Sequence, residues 1–418
     1  MTRPTAERLR SAQLSLLVVY ITMGHAALST VAWVPEFIDR LDVSFATWGT
    51  IVGFGIIGTI APLLFASRII MRFGSRPVIR GAIYAAMFML IALSWTNEPL
   101  PWFFINAGFG FTLSTLGLAV NSHSVLLQKQ LKGNVLGKIH AGWSAGALLA
   151  ALTGAASTVF LDLEFYLILV AGVTVLIFEF ALRGLLSPSE DGHKLEKAKS
   201  TSRKFYQVPP ELWLLCIGIF TGTFAEAVLV DWSAVFARDA LSLEPSLRSI
   251  PFAAFMIGMI IGRLSMSRLT RRFHPSELAQ YGAFIGAALL LANSFLSPQL
   301  AANSVYLGLV INASAFFLAG LAMSALAPSF FAAAGHVPNV NTASALATMS
   351  LFNSVVSIGA KTIVGGIAEG IGIEVVFVFP ALLLIAAGFI AGKVAKSAKA
   401  SELDTAYPPT GPLQVISD

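Results

Sequence analysis

The stretch IGTIAPLLFASRIIMRF at residues 57–73 recurs, 200 residues later, as IGMIIGRLSMSRLTRRF at residues 257–273. Eight of the 17 aligned positions are identical, whereas chance in so apolar a composition would give roughly two. In both stretches an apolar run ends in a cluster of arginines. Because self-similarity at a fixed spacing marks repeated structural units, the chain is predicted to be a duplication. The identical pairs are Ile57/Ile257, Gly58/Gly258, Ile60/Ile260, Leu64/Leu264, Ser67/Ser267, Arg68/Arg268, Arg72/Arg272 and Phe73/Phe273.

The composition shows which solvent the repeated units face. Of the 418 residues, 56% are hydrophobic and only 12% are charged, and the mean hydropathy is +0.77. A soluble domain carries about 25% charged residues, so this chain has too little charge to cover a surface in water. One bilayer span needs about 20 apolar residues, and the hydrophobic residues suffice for about twelve spans. A soluble enzyme, a secreted disulfide domain and a disordered protein are therefore excluded.

Apolar runs between turn signals predict twelve transmembrane segments. Because a bilayer offers the backbone no hydrogen-bond partners, segments of this length must be helices. The predicted fold class is an all-α membrane protein with 12 transmembrane helices in two pseudo-symmetric six-helix bundles. The predicted spans are 12–36, 46–67, 78–95, 102–126, 136–158, 164–184, 212–237, 248–268, 277–296, 302–330, 342–368 and 373–392.

One long polar interruption divides the predicted spans into two sets of six. We predict a cytoplasmic N-tail over 1–11, a bundle over 12–184, a flexible linker over 185–210, a second bundle over 211–392 and a disordered tail over 393–418.

The basic residues indicate how the spans are oriented. Of 27 Lys and Arg residues, 23 fall on the side of the termini, while Arg40, Arg238 and Arg248 fall on the other side and Lys361 lies inside span 11. By the positive-inside rule, this split predicts cytoplasmic termini. The net charge of +5 then reflects topology, and we expect no nucleic-acid partner.

Twelve spans, a six-plus-six repeat and a basic loop after spans 2 and 8 resemble the major facilitator superfamily over residues 12–392. The loop motif of that family is Gly-x-x-x-Asp-Arg-x-Gly followed by Arg or Lys. This chain has Ser67 in the first position, Met71 in place of Asp, and then Arg72, Gly74 and Arg76. The resemblance implies a gating role for the basic loops. The residues to which we assign that role are Arg68, Arg72, Gly74, Arg76, Arg268 and Arg272.

A second resemblance concerns span 7. Ala225 and Glu226, followed by Asp231, Trp232 and Ser233, resemble a fucose-permease-like bacterial branch of sugar:proton symporters. The resemblance implies alternating access and a sugar-like solute.

Polar residues recur at helical spacing in spans 1, 4, 5, 7 and 11. Such a stripe is typical of a helix that borders a water-filled path. For a single Ser or Gly the alternative is close helix packing. The candidate substrate-binding residues on these stripes are Asn106, Asn121, Trp143, Asn353 and Lys361.

Three ionisable residues at depth are candidates for proton coupling. Glu226 lies about 14 residues, or about 21 Å, into span 7, and burial favours the neutral form of a carboxyl, so we predict that it carries the proton. Under the 200-residue shift His25 aligns with Ala225, which predicts a proton-sensitive pair with Glu226. The alternatives are a structural Glu226 and a His25 bonded to a neighbouring helix. Asp231 is predicted either to couple directly or to pair with Arg238 in a structural or gating ion pair.

Lys361 ends the polar stripe of span 11. A lone cation in a cavity is expected to hold an anionic substrate or to form a salt bridge with a carboxylate.

Several enzyme signatures are missing from the sequence. It has no Walker A pattern and no G-x-S-x-G elbow, and its six His residues and Cys216 show no metal spacing. We therefore expect neither an enzyme nor a metal or cofactor. The predicted function is proton-coupled uptake of a small polar or weakly anionic solute by a monomer, with protons and membrane lipids as its other partners. For a transporter of bacterial type we expect the inner (plasma) membrane. The alternatives are proton-coupled efflux of small organic molecules, a polytopic membrane enzyme and a transporter-like sensor.

Overall fold

The computed structural model describes residues 5–130, 135–188, 190, 209–335, 337, 340 and 342–406. All regular structure in these ranges is helical, and twelve helical segments are long and apolar enough to cross a membrane. The predicted fold class is therefore confirmed. The helices of the first half are α1 Ala6–Leu28, α2 Val34–Leu41, α3 Phe45–Gly55, α4 Ile57–Phe73, α5 Ser75–Ser94, α6 Pro99–Gln130, α7 Val135–Phe160 and α8 Leu163–Gly184. Those of the second half are α9 Pro210–Asp239, α10 Ile250–Leu269, α11 Pro275–Asn303, α12 Val305–Met323, α13 Leu326–Ala334, α14 Thr342–Gly370 and α15 Val378–Ala406.

Three spans that the sequence predicts as continuous helices are broken. The first is interrupted by a short 3-10 turn, Val31–Trp33, before α2, and the second and tenth break at Ile56 and after Met323. Proline lacks the N–H that a helix donates to the carbonyl four residues earlier. Pro35 and Pro328 stand four residues after Val31 and Ser324, which accounts for the first and third breaks.

The helices also extend beyond two predicted boundaries. α1 begins at Ala6, within the predicted N-tail, and α15 continues to Ala406, whereas the disordered tail was predicted from 393. The segment after 392 is rich in Ala and Lys, two of the stronger helix formers. Residues 1–4, Ser189, 191–208 and 407–418, which belong to the predicted tails and linker, lie outside the described residues.

The first residues of the predicted linker are fixed to the first half. The Arg8 guanidinium donates to the carbonyl oxygens of Gly184 and Leu185, at 2.5 and 2.6 Å, and pairs with Glu190 at 3.0 Å. The hydrogen bonds from Arg8, together with one from the Ser187 backbone N–H, lower the pKa of Glu190 to about 2. The linker therefore leaves α8 along a defined path at the membrane face where α1 begins.

In the described ranges the halves make their most extensive contacts where α3 packs along α14 and where α7 packs along α10. At the first of these seams a Cβ on Gly49 would meet the Lys361 carbonyl oxygen at 2.7 Å and the Gly365 Cα at 2.8 Å. A Cβ on Gly53 would meet the Ile358 carbonyl oxygen at 2.7 Å. The seam is therefore a contact between backbones, as expected of small residues in membrane helices.

We call the face where α1 and α9 begin the termini face and the opposite face the far face. Since each half crosses six times, the start of α9 returns to the face where α1 starts. Residues 45–49, at the start of α3, and 365–370, at the end of α14, lie at the far face. The glycine seam between α3 and α14 lies in the far half of the molecule.

Candidate functional site

A cavity of about 350 Å³ lies between the two halves at mid-depth and toward the termini face. We call it the termini-side cavity. The first half contributes residues from α1, α6 and α7, and the second half contributes one residue each from α9 and α10. Its lining is Tyr20, Met23, Leu113, Gly117, Asn121, Trp143, Glu226 and Arg263. A chamber bounded by both halves changes shape whenever the halves move against each other.

Glu226 and Arg263 are the charged side chains of this cavity. Glu226 Oε2 and Arg263 Nη2 are 4.0 Å apart, and 31% and 26% of their side chains are exposed. This separation is too long for a hydrogen bond. Arg263 Nη1 donates to the Ser144 hydroxyl of α7 at 2.6 Å. The described residues provide no hydrogen-bond partner for the Glu226 carboxylate. The arginine is therefore anchored to the opposite half, and the carboxylate faces the cavity.

The first half supplies polar and aromatic groups to the same cavity. The Tyr20 hydroxyl donates to Asn121 Oδ1, which leaves the amide nitrogen of Asn121, an exposed residue, toward the cavity. Trp143 sits where α1 and α7 approach closely, since a Cβ on Gly24 would meet the Trp143 carbonyl oxygen. The cavity combines an amide, a phenol and an indole with one charge of each sign.

A second cavity, of about 220 Å³, lies nearer the far face. We call it the far-side cavity. It is lined mainly by the segment from the end of α1 to α2, by α3, α4 and α6 of the first half, and by α9 and α14 of the second half, and it holds Asn106, Asp231 and Lys361. Lys361 Nζ and Asp231 Oδ2 are 2.6 Å apart, with 13% and 12% of their side chains exposed. Trp48 and Trp102, whose ring centroids are 5.1 Å apart, close one side.

The predicted partner of Asp231 was wrong. Asp231 pairs with Lys361, and Arg238 pairs with Asp39 and Asp239 at 2.6 and 2.7 Å. The reason is that α14 passes beside α9 at the depth of Asp231, whereas Arg238 lies two turns nearer the far face. Of the alternatives for Lys361, the structure has the salt bridge to a carboxylate.

His25 and Glu226 do not meet. His25 Nε2 is 3.0 Å from the Thr153 hydroxyl of α7, because α1 packs along α7 on that side. The repeat aligned the two residues in depth along their helices but did not fix the direction in which each side chain leaves its helix.

The remaining predicted residues divide between contacts with neighbouring helices and the membrane faces. The Asn353 side-chain oxygen accepts a long hydrogen bond, 3.4 Å, from the Thr223 hydroxyl of α9. Gly74 ends α4 with a φ of +84°, and Pro188 packs where a Cβ would stand. The Arg72 guanidinium lies over the ring of Phe73 at 5.2 Å. In the part of the chain that the structure describes, no ion pair includes Arg68, Arg72, Arg76, Arg268 or Arg272.

At the far face the halves are held together by charges. Arg238 Nη1 donates to the Asp39 carboxylate and, at 3.2 Å, to the Pro35 carbonyl oxygen. Arg248 Nη1 donates to Glu36 at 2.9 Å, and the Phe45 N–H donates to Glu369 at 2.9 Å. All four contacts join α2 or α3 to the second half, so they close the far face.

The sequence prediction counted Arg263, at the end of span 8, only among the basic residues on the side of the termini, and so missed its place in the cavity. A signal was available in the repeat, because Arg263 aligns with the apolar Leu63. It also precedes Arg268 by five residues, about 7 Å deeper along a helix. A charged residue whose aligned position in the other half is apolar indicates a role that only one of the two halves has.

Comparison with known proteins agrees with this architecture. A transporter from Yersinia pestis described as an uncharacterized MFS-type transporter is 25% identical over 369 residues, which is 86% of this chain and 90% of that protein. An uncharacterized transporter of Sinorhizobium fredii is 27% identical over 297 residues, 67% of this chain and 71% of its own.

Solved structures show the same fold. The crystal structure of a nucleoside transporter, NupG, superposes with a TM-score of 0.73 at 14% identity, over 92% of this chain and 99% of that one. A bacterial homolog of the human lysosomal transporter Spinster superposes with a TM-score of 0.65 at 15% identity, over 97% and 100%. The sequence profile of the Major Facilitator Superfamily matches residues 124–360, more than half of the chain. The chain belongs to the major facilitator superfamily and is a membrane transporter.

Proposed function

We propose that the protein takes up a small polar or weakly anionic solute together with protons, by alternating access in the inner membrane. One observation carries this proposal: Glu226 and Arg263 lie 4.0 Å apart, too far for a hydrogen bond, in the wall of a cavity that both halves enclose at mid-depth. Ionisable groups at that depth are costly to keep and usually mark a pathway for ions or substrate.

In this proposal Glu226 carries the proton. Its carboxylate lines the cavity and has no hydrogen bond with a described residue. Asp231 and His25 remain candidates for tuning the coupling. Asp231 lies in the other cavity opposite Lys361, and His25 lies on α1 beside Thr153 of α7, outside both cavities.

The proposed orientation follows from the basic residues, which make the termini face cytoplasmic. The far face is the closed one, held by Asp39–Arg238 and Glu36–Arg248. The termini-side cavity then opens toward the cytoplasm, as expected of a carrier about to release its solute there. Opening of the far face exposes the far-side cavity, and a sugar-like solute is suggested by resemblance alone.

The test is proton-driven accumulation in proteoliposomes. Probes are radiolabelled neutral sugars, sugar acids and nucleosides, the last because a transporter of similar fold is named for them. For any probe accumulated by the wild type under an imposed pH gradient, we expect Glu226→Gln to abolish accumulation. It should retain exchange of internal for external probe, which moves no net proton.

The matched control is Glu374→Gln, which changes an exposed carboxylate outside both cavities and is expected to accumulate as the wild type does. Continued accumulation by Glu226→Gln would remove Glu226 from the proton pathway. Accumulation by the wild type without any pH gradient would remove proton coupling itself.

A further inference from the structure

Arg263 has more hydrogen-bond donors than the described residues accept from. A guanidinium carries five N–H donors in a fixed plane. Ser144 accepts from Nη1, and no described residue accepts from Nε or Nη2. These two nitrogens form one edge of the guanidinium, and its nearest counter-charge, Glu226, is 4.0 Å away. The bond to Ser144 holds the Nη1 corner of the group, so the Nε–Nη2 edge is left for a ligand.

That edge is suited to one chemical group in particular. Two parallel N–H donors match the two oxygens of a carboxylate, and such paired bonds are the stronger kind because both partners are charged. A neutral hydroxyl satisfies only one donor at a time. An ammonium group would be repelled by the guanidinium, whereas a carboxylate fits beside Glu226 when Glu226 carries the proton assigned to it above. The charge at this position therefore selects an anion with a planar, two-oxygen end.

Apart from Arg263, the termini-side cavity offers hydrogen-bonding groups and an aromatic face. Glu226, Asn121 and Tyr20 supply hydrogen-bonding groups, and Trp143 supplies a flat apolar face. The volume of about 350 Å³ lies at the small end of the range for ligand pockets. Hydroxyl groups of a ligand could form hydrogen bonds with the three polar side chains, and the carbon skeleton of the ligand could pack against the indole face.

We propose that the transported solute is a small hydroxy-carboxylate, whose carboxylate is held by Arg263 and whose hydroxyl groups are held by Glu226 and Asn121. This inference rests on the transport function proposed above and names the class of its substrate. Arg263 is then the residue that separates acids from the corresponding neutral polyols.

The test compares each acid with a neutral partner of the same skeleton. The probes are D-gluconate against D-sorbitol and D-glucuronate against D-glucose, titrated into the purified full-length protein by isothermal calorimetry. We expect at least one acid to bind about tenfold or more tightly than its neutral partner. Arg263→Gln should remove this preference. Arg263→Lys should keep the charge but weaken acid binding by about tenfold, because an ammonium lacks the two-donor edge.

Arg183→Gln is the matched control, because Arg183 is exposed on α8, away from both cavities. It should bind the acid as the wild type does. If Arg263→Gln does not fold, the comparison of Arg263→Lys with the wild type still decides the matter. Equal binding of acids and neutral partners, or an acid preference unchanged in Arg263→Lys and Arg263→Gln, overturns the inference.

Failure of this inference is distinguishable from failure of the proposed transport. A neutral solute accumulated by a pH gradient, with no acid bound through Arg263, leaves proton-coupled uptake standing and refutes the substrate class. Acid binding that depends on Arg263, without accumulation under any gradient, supports the assignment of Arg263 and refutes proton-coupled uptake.

Discussion

Asp231 and Lys361 place two opposite charges between helices α9 and α14, with 12% and 13% of their side chains exposed. Removal of ions from water is costly, and their attraction offsets that cost only while both are present. Loss of one partner leaves the other charge uncompensated. The two charges therefore contribute to stability together, independently of their role in transport.

We expect Asp231→Asn and Lys361→Met each to lower the free energy of unfolding by about 3 kcal/mol. The double variant should recover most of that loss, because it leaves no unpaired charge. Thermal unfolding of the purified protein in one detergent measures all four members of the cycle. Additive losses in the double variant would show that the two charges do not stabilise each other.

For single residues, the sequence predicts how deep an ionisable side chain lies in the membrane, but it does not predict which residue it pairs with. Glu226, Asp231 and Lys361 are evident as ionisable residues inside apolar runs, and all three line cavities. Their partners depend on how neighbouring helices are rotated and shifted, which spacing within one helix does not encode. The role of Arg263 is hard to predict because its helix ends in further arginines. Its charge is therefore not distinguishable in the sequence from the basic cluster at the membrane face.

Among the helices, the contact of α3 with α14 depends on glycine. A Cβ on Gly49 or Gly365 would meet backbone atoms of the opposite helix at 2.9 Å or less. Backbone cannot move aside as the end of a flexible side chain can. A methyl group there must separate the two helices.

We expect Gly365→Ala to disfavour the arrangement with a closed far face and to lower the exchange rate of a transported probe by about tenfold, or about 1.4 kcal/mol in the barrier. Gly366→Ala is the control, since a Cβ at Gly366 meets nothing within 4 Å. Spin-label distances across the far face would report the separation directly. Equal behaviour of the two variants would show that the seam tolerates a methyl group.

Helices were the most predictable feature of the chain. A bilayer requires long apolar segments, so number and class follow from composition and runs alone. The breaks at Val31–Trp33 and after Met323 do not follow from hydropathy, because a proline within an apolar run leaves the run apolar while it removes a helical hydrogen bond. The extension of α15 does not follow from hydropathy either, because its last residues are charged, although Ala and Lys favour a helix.

Across the whole molecule, closure of the far face depends on charges that the sequence placed on the sparsely basic side. Arg238 and Arg248 both belong to the second half and pair with Asp39 and Glu36 of the first. Exposed ion pairs contribute little singly, about 0–1 kcal/mol, and more when they are partly buried and bidentate or networked. Two such pairs suffice to bias an equilibrium between two states without fixing it.

We expect Arg248→Glu to shift the protein toward an open far face and Glu36→Arg with Arg248→Glu to restore closure. The reporter is a cysteine at Thr30, which lines the far-side cavity, in a Cys216→Ala background that has no other cysteine. Its labelling by a membrane-impermeant maleimide should rise several-fold in the single variant and fall again in the swap. Unchanged labelling would show that this pair does not hold the face closed.

The seam of bare backbone between α3 and α14 also bears on how fast the protein can cycle. Glycines have no rotamers, so joining or parting two such surfaces freezes or frees almost no side-chain motion. No interlocking of side chains must be rebuilt at each turnover along this line. The rate of the conformational change then depends on the ion pairs at the far face and on the solute bound between the halves.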